Sequence, residues 1–227
     1  MPETVAADFE TLYRGASPVP GMEFDTVPWD IGEPQPAVVE FEGRGQVSGD
    51  VLDAGCGAGE NAIFLAARGH RVTGVDIAPT AIEWARQRSR DRGAEVEYAV
   101  ADVTDLGGYD RRFDTIIDSA VFDCLDAEQR DRYAAALHRA TRPGAKLFIV
   151  CFSDALPVEV PGVFTISAET LRTTLEGAGW TITALRADAF LVTATANEFF
   201  RSAGLHLDTD DRGRGRLPAW AVEAVRS

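Results

Sequence analysis

Between Gly49 and Glu60 the chain reads Gly-Asp-Val-Leu-Asp-Ala-Gly-Cys-Gly-Ala-Gly-Glu, and this stretch constrains the fold more than any other. A short apolar run ends at Asp53, and Gly55, Gly57 and Gly59 then alternate with small residues. A helical pattern follows, with Ala62, Leu65 and Ala66 on one face and Gly69 as its stop. The expected unit is strand, tight turn, helix. Glycines at alternate positions admit backbone conformations closed to other residues and keep side chains away from a ligand. The same turn also occurs in α/β proteins for packing alone, so both readings stand on the glycines by themselves.

Spacing separates the ligands. A dinucleotide fingerprint runs G-x-G-x-x-G/A, with pyrophosphate at the helix N-terminus. Gly55 and Gly57 fit that pattern, but its sixth place is Glu60, a carboxylate unsuited to a diphosphate. The next strand, Arg71 to Ile77, carries Asp76 seventeen residues past Gly59, where two ribose hydroxyls would need an acceptor. The register of Asp53, Gly55, Gly57 and Gly59, D-x-G-x-G-x-G, resembles motif I of the class I methyltransferases that use S-adenosylmethionine.

The same branch is suggested further upstream. The string Pro28-Trp29-Asp30-Ile31-Gly32-x-Pro34-x-Pro36 resembles the N-terminal segment of the thiopurine, thiol and halide methyltransferases. With Leu12-Tyr13-Arg14-Gly15 added, the chain most resembles the heterocyclic-toxin methyltransferases, along nearly its whole length through Pro218-Ala219-Trp220. The resemblance implies an α/β fold: a doubly wound, Rossmann-like, seven-stranded sheet, mostly parallel with an antiparallel last strand, behind an N-terminal lid segment. Expected divisions are a lid over residues 1–47 and a methyltransferase domain over 48–227. The implied cofactor is S-adenosylmethionine, released as S-adenosylhomocysteine. Cofactor contacts carried over by position are Trp29, Asp53, Gly55, Gly57, Gly59, Asp76, Ile77, Asp102, Val103 and Asp118. Tyr13 and Phe122 are assigned to the substrate side, and Asp123 is the candidate general base.

Each assignment has a plainer counterpart. Trp29 is either a wall over the cofactor or a plug on the edge of the core; Asp102 is an adenine ligand or a turn cap; Asp123 is a base or an exposed loop carboxylate. The expected elements are a helix from Val5 to Tyr13, irregular chain across Pro28, Pro34 and Pro36, and a helix from Thr80 to Arg92. Strands are expected over 95–100, 113–118, 146–152, 180–186 and 219–225, with helices over 127–140 and from Ser167 to the Gly177 region. Asp126 with Gln129 reads as a capping box. The stretch from Phe190 to Arg216 is expected to be a substrate lid, with a solvated hairpin tip as the plainer reading of its charged run, Asp208 to Arg216.

Composition narrows the partners. The 227 residues suit one substantial α/β domain. A formal charge of −14 disfavours phosphate backbones and anionic membranes, so a small-molecule substrate is expected, with no nucleic acid and no membrane. The absence of an 18-residue apolar run and of a basic signal peptide points to a cytoplasmic protein. Three separated cysteines and three separated histidines form neither a disulfide framework nor a metal set, and no metal is expected. Two other function classes share these features: a nicotinamide-dependent oxidoreductase, and a non-catalytic module that only binds S-adenosylmethionine.

Overall fold

The computed structural model describes residues 8–16, 27–156, 163–202 and 204–227. The glycine stretch folds as expected: β1 (Asp50–Ala54) leads through the turn into α3 (Glu60–Ala67), then β2 (Arg71–Asp76), α4 (Pro79–Arg92) and β3 (Val96–Val100). After β4 (Phe113–Ser119), a single 3-10 turn at Phe122–Cys124 precedes α5 (Ala127–Ala140). The chain continues through β5 (Thr141–Phe152), α6 (Ala168–Gly177), β6 (Trp180–Val192), α7 (Ala194–Ser202) and β7 (Gly215–Arg226). Two helices precede the sheet: α1 (Phe9–Tyr13) and α2 (Pro36–Gly43). Among the described residues the seven strands form one sheet in the order β3-β2-β1-β4-β5-β7-β6, with β7 antiparallel to both neighbours. The strand order reverses between β1 and β4, and such a reversal opens a crevice beyond the carboxyl ends of the strands.

Local signals held where they rest on backbone chemistry. Asp126 and Gln129 form the capping box at the start of α5, with hydrogen bonds of 2.8 and 2.9 Å. Ser167 Oγ accepts the Thr170 N–H and caps α6. Asp8 caps α1, which begins at Phe9; the expected extension to Val5 lies outside the described residues.

Three expectations change. Pro36 starts a helix instead of preventing one, because at the first helical position its missing N–H has no intrahelical partner to lose. That helix buries Ala37, Val38 and Phe41, and Phe41 stacks on Phe148 of β5 with ring centroids 4.5 Å apart. Residues 36–43 are therefore part of the main core. β5 begins at Thr141, five residues early, and the extra residues Arg142 to Ala145 form an irregularity opposite Asp114. β6 runs to Val192, past the charge at Asp188, whose carboxylate is occupied by Arg186 and the Ala189 N–H.

The stretch from Phe190 to Arg216 is consequently not one lid. Phe190 and Val192 end β6, Ala196 and Phe200 of α7 are buried in the main core, and Leu217 lies in β7. What remains at the tip is Asp208 to Arg216, where Arg214 pairs with Asp210 and both Arg212 and Arg214 reach Glu33. The Phe41→Ala variant is expected to lose about 3 to 5 kcal/mol of stability, checked by denaturant unfolding; a loss below about 1 kcal/mol would return α2 to the lid.

Candidate functional site

The strand ends bring carboxyl groups together. Asp76 closes β2, and its two oxygens accept the N–H groups of Gly57 and Ala78, each at 2.9 Å. The glycine elbow and the end of β2 are thus one rigid piece. Gly57 has φ of +53°, and a Cβ there would lie 2.6 Å from the Tyr13 hydroxyl. Gly55, φ +65°, leaves room for Val121: a Cβ would approach its Cγ2 to 2.1 Å. Only glycine suits these two positions.

Asp53 is fully buried in β1, and neither oxygen has a hydrogen-bond partner among the described residues. Burial pushes its carboxyl up to about 8, helped by the charges of Asp76 and Asp118. The Ala62 N–H opposes that rise without reaching hydrogen-bond geometry. Burial likewise raises Asp118 to about 7 and Asp123 to about 8, and it raises Asp76 as well. Asp123 is no loop carboxylate open to solvent. It is fully buried in the 3-10 turn, and neither of its oxygens has a hydrogen-bond partner among the described residues.

A wall of aromatic residues closes the elbow. Trp29 Nε1 donates to the Tyr13 hydroxyl at 3.1 Å, and Tyr13 meets Trp84 and Trp29 edge to face. Phe9 meets Trp29 in the same manner. Glu10 of α1 accepts both the N–H and the hydroxyl of Thr80 at the start of α4, at 3.0 and 2.7 Å. The Asp30 carboxylate binds Arg88 through two contacts of 2.8 and 2.6 Å. Farther along, Gln35 bonds the backbone of Leu191 through both ends of its amide, and Thr193 donates to the Pro28 carbonyl. Residues 27–35 form a strap tied to α4 on one side and to β6 on the other.

Several sequence assignments move. Tyr13 sits against Gly57, Trp29 and the Asp76 charge, beside the elbow and not in a separate substrate space. Phe122 is wholly buried in the core beneath β4 and β5, so it faces no substrate. Val103 is buried in that same core. Asp102 is exposed and accepts the N–H and hydroxyl of Thr104 at 2.8 Å each, as a turn cap does. Asp118 is fully buried with each oxygen already engaged, one by the Val121 N–H and one by the Tyr133 hydroxyl, both at 2.9 Å. Glu60, read as a carboxylate facing the ligand, instead binds Arg88 and Arg92 of α4.

Two residues gain weight. Ile77 is 59% exposed at the end of β2, and Val100 is 51% exposed at the end of β3. Adjacent apolar side chains left open at strand ends suit the face of an aromatic base, and Val100 gave no sequence signal because it reads as an ordinary strand residue. Ala120 occupies left-handed backbone at φ +66° just beyond β4, a conformation that costs a non-glycine residue about 1 to 2 kcal/mol.

The arrangement fits an adenosyl sulfonium. An unpartnered buried carboxyl at Asp53 suits a cation, the elbow suits a chain approaching the backbone closely, and Ile77 with Val100 suits adenine. The comparisons with known proteins agree. A family model described as a methyltransferase domain matches residues 51–144. A curated relative from Mycobacteroides abscessus, 2-heptyl-1-hydroxyquinolin-4(1H)-one methyltransferase, is 41% identical over 174 residues, spanning 76% of each chain. The chain belongs to the S-adenosylmethionine-dependent methyltransferases. A solved structure from work on the conversion of a disulfide bond into a thioacetal group during echinomycin biosynthesis is 36% identical. It covers 96% of this chain and 91% of its own, with a TM-score of 0.80. The magnesium protoporphyrin IX methyltransferase from Synechocystis with bound S-adenosylmethionine, 23% identical, shares the fold at a TM-score of 0.60. The methyltransferase is a small-molecule enzyme, and among its described residues no helix is long and apolar enough to cross a membrane.

The buried acids dictate a pH dependence. Their folded values lie above the ordinary carboxylate value of 3.8, so the stability supplied by their protonated forms is fully present below about pH 4 and is lost as pH rises through 7 to 8. The melting temperature of the cofactor-free methyltransferase is therefore expected to fall by several degrees between pH 6 and pH 9. Saturating S-adenosylmethionine should flatten that slope, and Asp53→Asn should remove part of it. Thermal scans across the pH range check this; a flat profile in the cofactor-free protein would contradict the burial of these acids.

Proposed function

We propose that this methyltransferase transfers a methyl group to a hydroxyl on a small aromatic heterocycle of the hydroxyquinolone type. The observation that carries the reading is the 41% identity, across three quarters of both chains, to the 2-heptyl-1-hydroxyquinolin-4(1H)-one methyltransferase. Apolar side chains support it: Trp29, Ala120, Val163 and Phe199 are partly buried against the core cluster that holds Leu156. A flat, weakly acidic ring system suits such a lining better than a polar acceptor does.

Within this reading, S-adenosylmethionine supplies an activated methyl group on a positively charged sulfur. Asp76 would accept from the ribose hydroxyls, Ile77 and Val100 would flank the adenine, and Asp102 would stand at its edge. Asp53 and the Gly55–Gly57–Gly59 elbow would hold the methionyl end. Trp29 and Tyr13 exclude water, and exclusion of water with alignment of the acceptor supplies most of the rate for an in-line displacement. Asp123, once ionised, removes the acceptor proton, a contribution of about a hundredfold or more.

A second reading has its own support. The 36% identical structure associated with thioacetal formation covers 96% of this chain, which favours a sulfur acceptor. Incubation of the enzyme with S-adenosylmethionine and a mixed panel of hydroxyquinolones, other aromatic hydroxyls, ring nitrogens and thiols separates the two. A hydroxyquinolone product of 14 mass units above its acceptor is expected; methylation of thiols alone would replace the first reading with the second, and no methylated product at all would favour a binding module. Asp76→Ala is expected to weaken S-adenosylmethionine binding about a hundredfold or more, and Trp29→Ala to lower turnover without unfolding the domain. Calorimetry reads the first and steady-state kinetics with circular dichroism the second; unchanged affinity or unchanged turnover would remove the respective role.

A further inference from the structure

Asp118 stands where four elements meet. Its Oδ1 accepts the Val121 N–H and so closes the turn after β4; its Oδ2 accepts the Tyr133 hydroxyl from α5. Both residues of that side-chain pair are fully buried. The turn thus bracketed holds Ala120 in left-handed backbone and sets Val121 against Gly55, where it takes the room that a Cβ would need. The Ala120 N–H is tied in turn to the Val150 carbonyl of β5. Two residues past Val121 comes Asp123. One hydroxyl, reaching out of the helix behind the sheet, therefore governs the loop that passes both the glycine elbow and the candidate base.

We propose that Tyr133 is a positioning residue for methyl transfer: its hydroxyl orients the Asp118 carboxylate, and through it the 118–123 loop beside the elbow. The inference rests on S-adenosylmethionine binding, which the family supplies, and not on the choice of acceptor. Asp118 is in this reading a bracket, fully buried between the Val121 N–H and the Tyr133 hydroxyl. The titratable groups facing it are Asp53 from β1, Asp123 and Cys124 from the 3-10 turn, Cys151 from β5 and Tyr133 itself. None of them is a cation, so the Tyr133 hydroxyl and the turn amides, Val121 first, are what favour the ionised carboxylate.

The test uses the full chain with Tyr133→Phe, which keeps the buried ring and removes only the hydroxyl. Carbon-13 NMR of the aspartate carboxyls in the cofactor-free protein, with Asp118→Asn identifying the resonance, should find the Asp118 midpoint near 7 in the parent. It should rise by about one pH unit in the variant. Calorimetric titration with S-adenosylmethionine should find affinity lowered about tenfold at pH 7, with part of the loss recovered at pH 9. In the Asp118→Asn background the same substitution should change affinity little. An unmoved midpoint, a loss equal at both pH values, or additive losses in the double variant would each overturn the proposal and leave Tyr133 as packing only. Replacement of Tyr133 by 3-fluorotyrosine, a stronger donor, provides the opposite arm: the midpoint should fall, and a midpoint that stays or rises overturns the proposal even if Tyr133→Phe fails to fold.

Discussion

Four carboxyl groups lie at the same end of the sheet, and the structure depends on how they are kept there. Asp53, Asp118 and Asp123 are fully buried and Asp76 nearly so. An isolated ionised carboxylate in such surroundings costs several kcal/mol, so the groups must be neutral, hydrogen-bonded or paired with a cation. The chain uses the first two means unequally. Asp76 and Asp118 receive two hydrogen bonds each, whereas Asp53 and Asp123 receive none among the described residues. Unpartnered buried carboxyls are costly in a core selected for stability alone, and the proposed site gives this pair a use: a bound partner that carries the missing charge or proton.

The same end of the sheet is kept dry by residues remote from it in sequence. The strap over residues 27–35 is fastened to α4 by Asp30 and Arg88, to β6 by Gln35, to Thr193 just beyond β6 by Pro28, and to Arg212 and Arg214 by Glu33. These fastenings fix Trp29, and Trp29 then holds Tyr13 by its hydroxyl. Arg88 serves two masters, Asp30 of the strap and Glu60 at the start of α3. Through that guanidinium the strap is registered to the helix that follows the elbow. By contrast, α1 is attached by Glu10 to Thr80 and by edge-to-face aromatic contacts. The N-terminal cover thus divides into a strap bound on both sides and a short helix bound on one.

How much of this was legible in the sequence follows from the range of the interactions. The strand-turn-helix elbow and the caps at Asp126 and Ser167 depend on neighbours within a few residues or on fixed spacing, and these were readable. Residues whose meaning comes from distant partners were misread. Glu60 looked free to oppose a diphosphate, but its charge is taken by Arg88 and Arg92, 28 and 32 residues away. Pro36 looked like a breaker, though the helix it opens is recruited by Phe148, more than a hundred residues on. Phe122, beside a candidate base, looked like a substrate contact; the turn directs its ring into the core instead. Asp118 was the hardest case, since nothing local distinguishes a carboxylate facing a ligand from one consumed by a hydroxyl of the next helix.

The buried acids also order the steps of the proposed reaction. Held near 8 by burial, Asp123 is protonated at neutral pH and cannot take a proton from an acceptor in that form. What lowers it must be positive charge. Among the described residues Arg130 is a cation that acts on Asp123; its guanidinium lies over Phe122 and Phe164 and donates one N–H to the Leu125 carbonyl. A sulfonium held in the crevice would be a further source, and its charge would favour the ionised form of Asp123. An acceptor entering first would meet a neutral acid; one entering after the cofactor would meet a base. On this proposal methyl transfer would leave the sulfur uncharged and Asp123 carrying the acceptor's proton, so the acid would stay neutral until another sulfonium binds.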